Sequence, residues 1–147
     1  MIRLAWAGAA CATLAVSAAC GGDESLSRAE LASRADAVCA KYEQKLSALA
    51  APQSLGDVEK LADQARPIVE DGIDELDDLR PPDELEDDYD RWIDANRQNL
   101  AVFDDLEKAA AEGDAARVQE VLADARDREE EADRLAARLG LDDCADD

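Results

Sequence analysis

Apolar residues recur at steps of three and four along four successive segments, and each segment runs into a residue that stops a helix. The first holds Leu31, Ala35, Val38, Tyr42, Leu46 and Leu49 and ends before Pro52. It starts at Ser27-Arg28-Ala29-Glu30, a capping box in which each outer side chain accepts the other residue's backbone N–H. The second starts after Ser54 and aligns Val58, Leu61, Ala65, Ile68, Gly72, Leu76 and Leu79. Arg80-Pro81-Pro82-Asp83 stops it, because proline cannot continue a helix. The third places Leu85, Tyr89, Trp92, Asn96, Leu100, Phe103 and Leu106 on one side. Glu112-Gly113-Asp114 then predicts a tight turn, with Gly in a left-handed cap and Asp as the next N-cap. The fourth uses Val118, Val121, Leu122, Ala125, Ala132, Leu135 and Leu139, and closes at Gly140 with Leu141 beyond. No alternation of period two competes with this pattern. Short connections favour antiparallel neighbours, so the expected fold is all-α, an up-down-up-down four-helix bundle over residues 28–147.

Charge narrows the partners. The 147 residues hold 37 acids against 16 Lys and Arg, no His, and a formal net charge of −21. Phosphate backbones are bound through clustered Lys and Arg, so a nucleic-acid partner is not expected. An anionic membrane surface would repel such a domain as well. Any membrane association must therefore come from something other than surface charge.

Residues 1–19 supply a candidate. They contain no acid and one base, Arg3, followed by an apolar or small run from Leu4 to Ala19. That is the order of an export signal, and about 20 residues would be needed for a permanent span. Ser17-Ala18-Ala19-Cys20 is similar to a bacterial lipobox, with Ser17 where Leu or Val is usual. Ordinary signal peptidase also accepts the small residues Ser17 and Ala19. Cys11 has too short an apolar run before it. Cys20 is the expected lipid attachment point, and residues 20–27, beginning Cys20-Gly21-Gly22, the expected tether. Cleavage before Cys20 leaves Cys20, Cys39 and Cys144, an odd count that asks for an explanation in an exported protein. Three pairings are possible. A lipid on Cys20 would leave Cys39 and Cys144 to form one disulfide, the alternative being two buried free thiols. Cys39 lies roughly 18 Å into the first helix at 1.5 Å per residue. Five extended residues beyond Leu139 reach about 17 Å, so the tail can fold back to it.

Ala35-Asp36-Ala37-Val38-Cys39, the central Pro81-Pro82 and the ending Leu139-Gly140-Leu141-Asp142-Asp143-Cys144 resemble small lipoproteins of high-GC Gram-positive bacteria. The resemblance spans most of the mature chain and implies the fold and the cell-envelope address. It implies no activity.

Catalytic signals are weak. Without His, the usual triads and His-ligated metal sites are excluded. The serines at 25, 27, 33, 47 and 54 lie near caps or on polar faces, none in a nucleophile elbow. No catalytic residue, metal ligand or cofactor is assigned. Between Glu70 and Asp90 stand 12 acids against the single base Arg80. Hard cations favour oxygen ligands, but no stretch has the spacing of a calcium loop, and a solvated acidic face accounts for the run.

Reflecting the segments about their turns brings Cys39, Pro67, Asn96 and Arg128–Glu129 to about one level. Pro67 lacks an N–H and leaves the Asp63 carbonyl without its usual partner. Asn96 has donors that could serve that carbonyl across helices. Arg128 and Glu129 stand where the fourth stripe should carry an apolar residue between Ala125 and Ala132. These four define a candidate polar layer, which could form a small pocket. A kinked helix, a satisfied Asn and an Arg stem lying over apolar surface would explain the same residues. The expected function is a lipid-anchored extracytoplasmic binding or interaction module that meets the membrane through its N-terminal lipid and has an unidentified protein partner. In the expected bundle both chain ends and the Pro-Pro turn share the membrane side, leaving the opposite turns free for that partner. The alternative is weak binding of a divalent cation or small ligand.

Overall fold

The computed structural model describes residues 25–145, and over that range it is helical with no strand. The proposed leader over residues 1–19, Cys11 and Cys20 lie outside the described residues. The helices are α1 (Arg28–Ser47), α2 (Leu55–Asp77), α3 (Glu86–Asn99), α4 (Ala101–Ala111) and α5 (Ala115–Leu139), with a single 3₁₀ turn at Asp83–Leu85. Among these helices none is long and apolar enough to cross a membrane.

The stop and start signals act as local chemistry. Glu30 donates its N–H to the Ser27 hydroxyl, and Ser27 donates its own to the Glu30 carboxylate, closing the capping box of α1. Ser54 caps α2 by accepting from the Asp57 N–H, and Asp114 caps α5 by accepting from the Arg117 N–H. Gly113 and Gly140 take left-handed angles, φ 72° and 80°. At each, the following N–H reaches back five residues, from Asp114 to Ala109 and from Leu141 to Ala136, as a Schellman motif requires. That bond turns Leu141 inward, where it is completely buried.

The third predicted segment is divided rather than continuous. Leu100 keeps right-handed angles, but its N–H bonds the Arg97 carbonyl three residues back, and Phe103 does the same to Leu100. Two features favour a break there. Asn96 and Asn99 are poor interior helix residues, and the Asn96 side chain donates to the Trp92 carbonyl at 2.9 Å, competing with the ladder. The tether boundary also moves. Leu26 packs on the core and donates its N–H to the Arg80 carbonyl at 2.8 Å, so the folded domain starts before residue 28.

Apolar burial falls into two clusters. The larger joins Leu31, Ala35 and Val38 of α1 to Ile73 and Leu76 of α2, to Tyr89, Trp92 and Ile93 of α3, and to Leu135, Ala136 and Leu139 of α5. Tyr89 donates its hydroxyl to the Leu76 carbonyl at 2.7 Å, which satisfies a polar tip inside an apolar layer and serves the end of α2. Burial pushes its phenol up. The smaller cluster joins Ala62 of α2, Leu106, Ala109 and Ala110 of α4, and Val118 and Val121 of α5.

Cys39 and Cys144 form a disulfide, with sulfurs 2.10 Å and Cα atoms 5.3 Å apart, across a separation of 105 residues. The bond fixes the tail against α1. Beside it the Asp143 N–H donates to the Asp36 carboxylate at 3.1 Å. Burial raises the Asp36 carboxyl above its ordinary range. The Asp143 N–H opposes this, and the charges of Asp143 and Asp142 add to it. A raised carboxyl favours the fold while protonated, so ionisation of Asp36 with rising pH works against the docked tail. In the chain-entropy account, breaking a crosslink of this span is costly. Cys144→Ser should lower the unfolding free energy by about 2–5 kcal/mol in chemical denaturation. A change within about 0.5 kcal/mol would show that the crosslink does not restrain the chain.

α1 meets α2 through Tyr42, whose ring lies over Gly72. A Cβ built on Gly72 would stand 3.0 Å from the ring's Cγ. The ring cannot easily yield, because its hydroxyl donates to Glu75 at 3.0 Å and Lys45 Nζ sits 3.9 Å from its centroid. Gly72→Ala therefore sets a helix-propensity gain of about 1 kcal/mol against a displaced ring. The substitution should stabilise the chain only when Tyr42 is also replaced by Ala. Equal changes in both backgrounds, read from thermal unfolding, would exclude this contact as the reason for the glycine.

Candidate functional site

Between the two apolar clusters α5 has no large inward residue. Ala125 and Ala132 are separated by exposed Arg128 and Glu129, and α2 lines the same level with Ala65 and Val69. Small side chains on two helices and a break in the third leave space. A cleft of about 390 Å³ opens there, bounded by Val69 of α2, Trp92, Asn96 and Asn99 of α3, Val102 and Phe103 of α4, and Arg128, Glu129 and Asp133 of α5. Cys144 also lines it, so the disulfide forms part of its wall. A second cleft of about 320 Å³ lies beside it, walled by Leu49, Pro52, Val58, Leu61, Leu106 and Leu122. Leu46, Ala65 and Phe103 line both, so the two are adjacent lobes with a shared wall, together termed the trough.

Chemically the lobes differ. The first carries two amides, one cation and two carboxylates at its rim, while the second is walled by apolar side chains and proline. No polar or charged residue is buried among the described residues, so these groups stand at the mouth rather than inside a core. Exposed ion pairs link the helices on the outside of the fold. Arg66 of α2 donates to Asp104 of α4 and to Glu70 on its own helix, and Arg97 of α3 reaches Asp77 of α2 at 2.7 Å. The hydrogen bond to Glu70, then the charge of Asp104, holds the Arg66 guanidinium above its ordinary range. Such exposed pairs contribute about 0–1 kcal/mol each.

The candidate polar layer is only partly assembled. Asn96, Arg128 and Glu129 line one cleft, and Cys39 comes near it through Cys144. Pro67 does not belong: it is exposed on α2, which runs through it without ending. Nor does Asn96 reach the Asp63 carbonyl across helices. Its amide donates instead to the Trp92 carbonyl of its own helix at 2.9 Å. The trough's apolar walls were not recognisable as a site in the sequence, where Leu46, Phe103 and Leu122 read as ordinary core positions. The advance signals were the polar Asn96 on the third stripe and the missing apolar residue at 128–129.

No protein-family model matches the chain, and neither a curated protein nor a solved structure proves similar to it. Because the Asn96 bond is local, Asn96→Ala should cost less than about 1 kcal/mol in denaturant unfolding. A loss of about 1–3 kcal/mol would instead indicate a buried polar partner left unpaired.

Proposed function

We propose that this chain is an exported, lipid-anchored helical-bundle protein that binds its ligand or partner outside the cytoplasm. The Cys39–Cys144 disulfide carries the reading. Disulfides belong to oxidising compartments, and this one leaves Cys20 as the single unpaired cysteine after the leader. A thioether-linked lipid on Cys20 accounts for that residue, and the lipobox-like Ser17-Ala18-Ala19 before it points the same way. The likeness to small lipoproteins of high-GC Gram-positive bacteria supports this address. The bond from Leu26 to Arg80 supports an up-down arrangement in which the start of the domain and the Pro-Pro turn share the anchored end.

Of the two kinds of binding, a small ligand is favoured by the trough. Among the described residues no three His, Cys, Asp or Glu side chains converge as a cation site would need. Concave, mostly apolar clefts with a few polar groups at one end are the usual form of small-molecule sites. Catalysis has no such support. The address is tested by replacing Cys20. Wild-type protein should fractionate with membranes and carry a diacylglyceryl mass on Cys20, with two hydrogens missing for the disulfide. Cys20→Ala should release the chain to the soluble fraction. Recovery of wild type without the lipid mass would refute the anchor.

A further inference from the structure

Four leucines among the described residues have no place in either buried cluster. Leu46, Leu49 and Leu61 are half-buried, and Leu122 is 36% exposed. All four line the second, apolar lobe. We propose that this lobe binds a compact, uncharged, hydrocarbon-like molecule of about two rings, taken up whole between the end of α1 and helices α2, α4 and α5. The proposal rests on the small-ligand reading of the trough, narrows it to this lobe, and is independent of the anchor.

The lobe has a structural cause. α1 buries Leu31, Ala35 and Val38 and supplies no buried residue after them. The smaller cluster is accordingly built from α2, α4 and α5 alone. On its remaining side, where Leu46, Leu49 and Pro52 come alongside, there is a cleft of about 320 Å³ in place of a packed contact.

The wall sets the chemistry of the occupant. All ten residues that line the lobe are apolar, so no side chain offers a hydrogen bond. Small-molecule sites ordinarily fix orientation with a few polar groups, and this wall has none. A hydroxyl, amide or carboxylate brought against it loses water without compensation. The net charge of −21 adds long-range repulsion for an anion. Recognition is left to size and shape. An apolar cavity of about 150 Å³ stays dry and takes up benzene, and this lobe has about twice that volume. A full-length acyl chain exceeds it and would keep part of its length in water. A second copy is disfavoured by the net charge, and because Leu122 is the one large hydrophobic residue exposed among the described residues.

Equilibrium dialysis of the full chain against naphthalene should show saturable binding. NMR shifts locate it, since Leu61 and Leu122 methyls report this lobe and the Trp92 indole the other. 2-Naphthoate, the same rings with a carboxylate, should bind at least about tenfold more weakly, and 2-naphthol no more tightly than naphthalene. Leu49→Trp fills the lobe from a residue outside both clusters and should weaken naphthalene about tenfold or more. Leu122→Asn, which sets an amide in the wall, should weaken it as well. Circular dichroism verifies that both variants are folded.

Naphthalene binding that neither folded variant changes would overturn the proposal. So would displacement by lysophosphatidylcholine, below its micellar concentration, at lower doses than by decalin, because a lipid chain would then be the occupant. A dimer that Leu122→Asn dissolves would make a second copy the occupant. Binding seen only after residues 1–19 are removed would give that place to the chain's own apolar run. Two further failures are distinct. If naphthoate or naphthol binds tightly while naphthalene does not, or only Trp92 responds, this ligand class is wrong and the small-ligand reading stands. If none of the three shifts either lobe, the small-ligand reading falls with it.

Discussion

Between Cys39 and Cys144 the chain closes a span of 105 residues, and the packing of the larger apolar cluster depends on that closure. The cluster is assembled from both ends of the sequence. Leu31, Ala35 and Val38 come from the first helix, Leu139 and Leu141 from the last turn and the tail. A chain of net charge −21 resists bringing those ends together, since its like charges repel in the compact state. The core that opposes this is modest, with alanines such as Ala35, Ala62, Ala65 and Ala136 at many buried positions. Alanine removes little apolar area from water. A covalent crosslink limits the expanded states of the unfolded chain and shifts that balance toward the fold.

The division of the core into two clusters follows from the same economy of large side chains. Where α2 and α5 face each other with Ala65, Ala125 and Ala132, helices cannot fill the space between them without moving closer. The clusters on either side hold them apart. Space at mid-bundle is thus a product of packing at both ends, and the helix break at Leu100 lets α3 and α4 follow different neighbours around it. Arg128 and Glu129 stand exposed at the rim, where water solvates charges that burial in such a gap would penalise.

Much of this was legible in the sequence, and for identifiable reasons. Leu31, Ala35, Leu76, Tyr89, Trp92, Leu135 and Leu139 lie on apolar stripes that turned inward, because burial follows a period of 3.6 residues. Ser27, Ser54, Asp114 and Gly140 marked their helix ends because capping is local chemistry. The break at Leu100 was not legible, since no proline or glycine marks it and the stripe runs on across it. Pro67 misled because a proline can sit on the outside of a helix that packing holds together. The site was the least legible part. A gap at 128–129 showed in the fourth stripe, but whether neighbours collapse into a gap or frame it is decided in three dimensions.

The hydrogen bond from Leu26 to Arg80 has a mechanical side. Force that reaches the fold through the residues before Leu26 does not first peel the opening turn of α1. It is shared with the end of α2 through that bond, and with the core through the packed Leu26 side chain. A dozen residues further on, the crosslink at Cys39 ends any continued unwinding of α1 and passes the load to the tail. A pull of this kind meets first the Leu26–Arg80 bond and then, at Cys39, a covalent stop.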